Sequence, residues 1–596
     1  MSENEVKIAL PRTQESETLH RIRHTMSHVL AMAVQRLFPD AQVTIGPPTD
    51  YGFYYDFDRP ESFSQDDLKR IKKEMMKIVK KGLPVIREEV SREEAERRIK
   101  ALGEPYKLEL LDAIPEGEAI SIYHLGDEWW DLCEGPHVES TKELHPKAFD
   151  LLSIAGAYWR GDETKQQLQR IYGTAWESPE QLKAYKQRLE EAKQRDHRKL
   201  GKELGLFLFA DDVGPGLPLW TPKGTVLRMT LEDFLKREQL KRGYLPVTTP
   251  HIARVDLFKT SGHWQKYKED MFPLMAEDDE ARSLERGFVM KPMNCPFHIQ
   301  IYKNELRSYR DLPMRLAEFG TVYRYEQSGE LGGLTRVRGF TVDDSHLFVT
   351  PNQLDDEFLK VVDLILTVFD RLQLKDFSAR LSFRDPDSDK YLGSDEAWDK
   401  AESAIRRAVQ KLAMPHFEGI GEAAFYGPKL DFIFRDVLDR EWQLGTVQVD
   451  YQLPERFDLE FVAEDGSRQR PVMIHRAPFG SLERLVGILI EQYAGDFPFW
   501  LAPEQIRILP VSDQFLDYAE SVKQKLTEQN FRVTLDGSAE RLGKKIRNAE
   551  KAKIPMMLVT GADEQEAETV SARSRHGGDE GTLSIADLIT KLQGVS

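Results

Sequence analysis

Apolar and polar positions alternate at both ends of FGTVYRYEQSGELGGLTRVRGFTVDDSHLF, residues 319–348, and its middle is glycine-rich and polar. A period of two predicts strands, so the stretch reads as a long hairpin bearing Arg324, Arg336 and Arg338. HRAPFGSLERLVGILIE, residues 475–491, is instead amphipathic at helical spacing after a glycine, and places Arg484 on a helix. Upstream, GYLPVTTPHIARVDLFKTSGHW (243–264) reads as a strand ending at Pro250. A connecting helix is predicted over 182–204, with Ser178 as its cap and Pro179 in its first turn. Glycines and prolines then break the pattern in GLFLFADDVGPGLPLWTPKG. Beyond FPFWLAPEQIRILPVSD, the short strands IRILPV, RVTLD, MMLVTG and TLSI alternate with helices at 513–529 and 540–552, the mark of a small α/β domain. The expected organisation is α+β multidomain: 1–175, an α+β domain; 176–204, a linker helix; 205–498, a large central domain; 499–596, the α/β domain.

A chain of 596 residues is too long for one core, which agrees with several domains. No apolar run approaches the roughly 20 residues needed to span a bilayer, and the polar start MSENEVKIALPRTQESE lacks a signal-peptide core, so a cytoplasmic protein with no membrane partner is expected. Two cysteines exclude a disulfide framework and fit a reducing compartment. The net charge of −17 argues against indiscriminate nucleic-acid binding. It hides three basic stretches, LKRIKKEMMKIVKKG (68–82), LKAYKQRLEEAKQRDHRKLGKEL (182–204) and RLGKKIRNAEKAK (541–553), each of which also reads as a solvated helix face.

Candidate chemistry begins with HTMSHVL (24–30) and DLCEGPHV (131–138), which set His24 and His28, and Cys133 and His137, at the same spacing. That pattern suits a metal, metal-free chemistry or packing. GIGEAA (419–424) spells a dinucleotide fingerprint, but FYGPKLDFIF after it reads as a turn and a strand where that fold needs a helix. No P-loop pattern occurs.

The stretches around Pro250, Arg324 and Arg484 resemble motifs one, two and three of the class II aminoacyl-tRNA synthetases. With KPMNCPFH, RVRGFTVDDSHLF, GEAAFYGPKLDF, EWQLGTVQVDY and HRAPFGSLER in order, the chain is most similar to the threonyl-tRNA synthetase family, from about residue 15 to the C-terminus. The resemblance implies an antiparallel-sheet catalytic core, an N-terminal editing domain and a C-terminal anticodon-binding domain. It implies an ATP-dependent, AMP-forming ligase that joins L-threonine to tRNA(Thr) as a homodimer, with one Zn²⁺ per subunit and Mg²⁺ brought with ATP. Cys295, His346 and His475 occupy the family's zinc positions; three protein ligands leave a place for substrate. By the same resemblance Asp344 accepts the threonine hydroxyl, and polar partners given to a hydroxyl reject valine by roughly 10⁴. Arg324 and Arg484 neutralise phosphate, Glu326 reads adenine and Phe340 stacks on it. Gln443, Thr446 and Gln448 line the ribose side, Tyr426 and Lys429 approach the amino acid, and His263 assists proton movement in transfer to tRNA.

Serine lacks only one methyl, worth about 1–3 kcal/mol, so a second, hydrolytic site is required. His24, His28, Cys133 and His137 match the family's site for mischarged seryl-tRNA(Thr), with Lys107, Asp131 and Tyr55. There the residues orient water without metal, although a Cys-His₃ zinc shell, as in the related alanyl editing domain, fits the spacing. Arg573 and Arg575 are the anticodon candidates. With the editing motif beginning at residue 24, the family's N-terminal ubiquitin-like (TGS) module is expected to be absent, and the chain has Val342 where glutamine and Phe297 where glycine is expected. A synthetase-like RNA-binding regulator, and a prolyl or seryl synthetase, are the competing readings; the first is opposed by the presence of both arginines, the second by the Cys295, His346, His475 set.

Overall fold

The computed structural model describes residues 8–594 apart from Glu163, Asp389 and Ala413. The chain divides into two compact units, Met1–Glu191 and Ala192–Ser596.

The first unit is organised by the helix Glu17–Leu37, started by Ser16, whose hydroxyl accepts from the Leu19 amide. The helix packs on an antiparallel sheet whose path runs Gln42–Val43, Gly52–Asp58, Gln167–Ala175, Phe149–Tyr158. The basic stretch near residue 70 is the helix Gln65–Lys81, which buries Leu68, Ile71, Met75, Ile78 and Val79 and turns its lysines outward. A second sheet, Val85–Val90, Ile120–Leu125 and Trp129–Leu132, carries the chain into Cys133 and His137.

In the second unit an eight-stranded sheet runs Leu245–Pro246, Met314–Tyr323, Gly339–Val349, Val472–Ala477, Glu441–Asp450, Lys429–Arg435, Phe377–Phe383, His416–Ile420. Its pairs are antiparallel except the first and last. The hairpin forms as the alternation predicts, Met314–Tyr323 against Gly339–Val349. The strand expected up to Pro250 is only two residues long, because Pro246 and Pro250 have no amide hydrogen for a ladder. The segment 176–204 holds two helices, Pro179–Arg195 and His197–Glu203, interrupted at Asp196, whose carboxylate accepts from the Arg198 amide. Helices Leu354–Arg371, Asp395–Leu412 and Leu482–Gln492 contribute buried side chains to the main core.

The C-terminal part of this unit has its own core and a five-stranded sheet, Val533–Leu535, Ile506–Pro510, Met556–Thr560, Thr569–Ser574, Gly578–Ser584. The first three strands are parallel, as the alternation with helices requires. The antiparallel strand Thr569–Ser574 and the helix Ile585–Gln593 lay outside that expectation. Among the described residues no helix is long and apolar enough to cross a membrane.

Candidate active and hydrolytic sites

In the second unit His346 and His475 are direct cross-strand partners, and Cys295 opens the helix Cys295–Lys303 beside them. One ligand atom from each lies within 4.8 Å of the others, and all three residues are buried. Hydrogen bonds fix which nitrogens are free. His298, fully buried, meets Glu318 Oε1 through Nε2 at 3.2 Å and His346 Nδ1 through Nδ1 at 2.8 Å. A carboxylate can only accept, so a neutral His298 donates to Glu318 and accepts from His346; the lone pair of His346 Nε2 is left without a partner. His475 Nε2 donates to Asp450 Oδ2 at 2.8 Å, leaving Nδ1. Oriented imidazoles behind carboxylates, an orphaned buried nitrogen and a cysteine are the donor set of a soft divalent ion. Burial, with Asp344 and Asp450 nearby, holds the Cys295 thiol well above its usual range, so a metal has a proton to displace. Asp344 accepts from Asn294 Nδ2 at 3.1 Å, and burial raises its pKa.

Arg324, Glu326 and Arg336 line a cavity of about 170 Å³ with Tyr267, Asp270, Pro292 and Met293. Arg484 donates through Nε to the Thr335 carbonyl at 3.0 Å; burial, then the charges of Arg324 and Arg336, lower its pKa. Three guanidiniums that repel one another make a place for a polyanion. Arg336 meanwhile pairs with Glu326 at 2.8 Å, and the Arg324 guanidinium lies 5.1 Å from the Phe340 ring centre. His263 is fully buried and bonds Ser261 Oγ through Nδ1 at 2.7 Å. Its Nε2 has no partner, and burial, then His475, Arg324 and Arg456, lowers its pKa to about 3.

Gln443, Thr446 and Lys429 converge on a residue the sequence reading missed, the fully buried Asp431. Its Oδ1 accepts from Gln443 Nε2 and Thr446 Oγ1, both at 2.8 Å; its Oδ2 accepts from Ser382 at 2.7 Å and meets Arg380 and Lys429 at 3.1 Å. The signal was there: one carboxylate in the apolar strand KLDFIF. Tyr426 donates to Gln448 Oε1 at 2.5 Å and lies over His475 at 5.0 Å. Of the two departures, Val342 is half-buried on the strand face that carries Phe340, Asp344 and His346. Phe297 packs in a separate cluster with Val255, Phe258, Trp264, Met271 and Val289.

In the first unit Cys133 Sγ lies 3.3 Å from both His24 Nε2 and His137 Nε2, and one ligand atom from each of these and from His28 falls within 4.8 Å of the rest. His24 Nδ1 donates to the Pro136 carbonyl at 3.1 Å. Thr25 Oγ1 gives its hydrogen to Arg21 O, so the His137 Nδ1 beside it, at 3.2 Å, is the donor. Both rings therefore present a lone pair to the thiol. Burial lowers the pKa of His24 to about 4 and of His137 to about 2, and burial with Asp131 pushes Cys133 up to about 12. Behind them Tyr55 donates to Asp131 at 2.6 Å, and Lys107 reaches Asp131 at 2.5 Å and Tyr55 at 2.9 Å, all three buried. This set fits either a divalent ion or a water held by neutral acceptors.

In the C-terminal domain Arg573 is half-exposed, while Arg575 pairs with Asp496 at 2.9 Å and donates to the Glu550 carbonyl. In the basic helix Leu542–Lys551, Arg541 at the cap and Lys544 and Arg547 are exposed, and Lys545 is buried against the carbonyls of Pro510 and Asp536.

Residues 276–493 match the tRNA synthetase class II core domain (G, H, P, S and T), 505–594 the anticodon binding domain, and 120–172 the threonyl and alanyl tRNA synthetase second additional domain. The threonine–tRNA ligase of Thermosynechococcus vestitus is 77% identical over 98% of this chain and 96% of its own length; that of Gloeobacter violaceus is 70% identical over 98% and 93%. A solved structure titled as the RNA binding domain of threonyl-tRNA synthetase from Cryptosporidium parvum covers 67% of this chain and 98% of its own at 40% identity, with a TM-score of 0.64. The chain, with a class II core, an anticodon-binding domain and an editing domain in one polypeptide, belongs to the threonine–tRNA ligase family.

Proposed function

We propose that the chain activates L-threonine with ATP, transfers it to tRNA(Thr), and hydrolyses seryl-tRNA(Thr) at the quartet of the first unit. The observation that carries this reading is the convergence of Cys295, His346 and His475 beside Asp344, together with the clustering of Arg324, Arg336 and Arg484. Cys295, His346 and His475 would hold Zn²⁺, which when bound supplies a Lewis-acid position for the amino group and hydroxyl of threonine. Asp344 accepts a hydrogen bond from the hydroxyl and so distinguishes threonine from valine. Arg324 and Arg484 hold the α-phosphate, with Mg²⁺ arriving on ATP, so that the threonine carboxylate is positioned for in-line attack. Gln443 and Thr446, tied by Asp431, and Gln448, tied by Tyr426, line the ribose side, while Tyr426 and Lys429 approach the amino acid. The bare Nε2 of His263 takes up the proton of the tRNA terminal hydroxyl as it attacks the adenylate. In the first unit the lone pairs of His24 and His137 orient a water on the seryl ester, with Cys133 and His28 closing the pocket, and with Lys107, Asp131 and Tyr55 fixing its wall.

The anticodon contacts are assigned to Arg573 and Arg575 together with the exposed face of the basic helix. Two chains pair through the segment at Leu245–Pro250 as a homodimer, and a chain with two free cysteines suits the reducing cytoplasm. The test is ATP–pyrophosphate exchange across all twenty amino acids. Threonine should lead, serine should follow at about 10–200-fold lower efficiency and valine should be silent. Exchange led by any other amino acid overturns the reading.

A further inference from the structure

We propose that His197, from the short helix His197–Glu203, is a positioning residue for the nucleotide loop between the two strands of the hairpin. The proposal rests on the reading of Arg324 and Arg484 as the phosphate site. His197 is buried and both its ring nitrogens are used. Nδ1 lies 2.6 Å from Glu491 Oε1, and Nε2 lies 3.0 Å from the backbone nitrogen of Leu334. An amide N–H can only donate and a carboxylate can only accept, so the imidazole must be neutral, with its hydrogen on Nδ1 and its lone pair on Nε2. The neighbourhood holds that tautomer. Glu491 Oε1 also accepts the His197 amide at 3.0 Å, and Glu491 Oε2 pairs with Arg440, itself bonded to Asp436 at 2.6 Å. With both nitrogens spent, the imidazole of the Asp196, His197, Glu491 trio has no lone pair to offer a metal.

What His197 holds is one peptide of the loop. The next residue, Thr335, gives its carbonyl to Arg484 Nε. Two successive residues of the loop are thus pinned by side chains from two different helices, one N–H and one C=O, and Arg336 follows directly. That arrangement fixes the rotation of the peptide planes that aim Arg336 into the cavity it shares with Arg324 and Glu326. The Leu334 side chain is separately anchored in the main core, so losing the imidazole leaves the loop attached but the Leu334 N–H without its acceptor. Gly333 takes a left-handed φ of 61°, and a Cβ there would stand 2.3 Å from His197 Nε2; the loop approaches this ring as closely as backbone can.

The experiment compares His197→Ala with His197→Gln, whose Oε1 can take the place of Nε2 as acceptor for the Leu334 N–H. ATP–pyrophosphate exchange is measured with threonine and ATP varied separately, alongside thermal melting. His197→Ala should raise the KM for ATP about tenfold with the KM for threonine within twofold of wild type, and His197→Gln should recover most of the loss. Proportional loss of kcat at unchanged KM values in both variants, tracking a lower Tm, overturns the proposal and leaves His197 a purely structural residue. Unchanged kinetics in His197→Ala overturn it too. A wild-type protein that exchanges pyrophosphate with an amino acid other than threonine defeats the functional reading instead, and the ATP KM shift still decides the role of His197.

Discussion

At the first unit's quartet, each residue is neutral between about pH 5 and 9: two imidazoles that refuse protons face a thiol that keeps its own. In metal-free protein, hydrolysis of seryl-tRNA should therefore be flat across that window and indifferent to chelator; a rate that chelation abolishes would make the quartet a metal site. The same shifts carry a stability cost in acid. A histidine whose pKa is lowered on folding contributes nothing above its unfolded value near 6.5, and as pH falls below it the unfolded chain binds the proton the native state declines, at about 1.4 kcal/mol per pH unit for each group. Melting of the metal-free first unit should fall between pH 6.5 and 4, and replacing His24 and His137 by Asn should flatten that slope. Substituting His24 or Cys133 by Ala should remove seryl-ester hydrolysis while threonine charging stays within twofold. Asp431 sets the opposite case, a buried carboxylate with two cationic partners: Asp431→Asn should cost about 3–5 kcal/mol in denaturant titrations, because Lys429 loses its counter-charge and Arg380 keeps only Glu422.

At the scale of elements, much of the second unit was written locally. The alternation of the hairpin, the helix carrying Arg484, and the strand beginning at Lys429 all form where the period places them. Pairing order was not legible, since strand neighbours are chosen by long-range packing and not by the pattern within either strand. That is why Asp431, Glu318 and His298 escaped notice: each matters through partners on elements remote in sequence. Phe297, an oddity against the family pattern, is explained by the cluster it fills. Phe297→Ala should lower stability by about 3–5 kcal/mol and leave the KM for threonine nearly unchanged; a large rise in that KM with normal stability would show instead that the ring shapes the substrate pocket.

For the whole molecule, the division at Glu191 separates the two proposed sites. A chain comprising residues 192–596 should still activate threonine, and should accumulate seryl-tRNA because the hydrolytic quartet is gone; failure to accumulate it would place the second sieve elsewhere. Sedimentation of the full chain at micromolar concentration should give a dimer, and a fully active monomer would contradict the proposed interface.

The strand Val472–Ala477 sits between Gly339–Val349 and Glu441–Asp450, so the catalytic sheet lacks a central member until that late strand has been made. On a ribosome adding about 5–20 residues per second, roughly 300 residues separate completion of the first unit from emergence of that strand, an interval of tens of seconds. The unit proposed to proofread has time to fold before the unit proposed to ligate can close, so a polypeptide in the course of synthesis would acquire the means to destroy an error before the means to commit one.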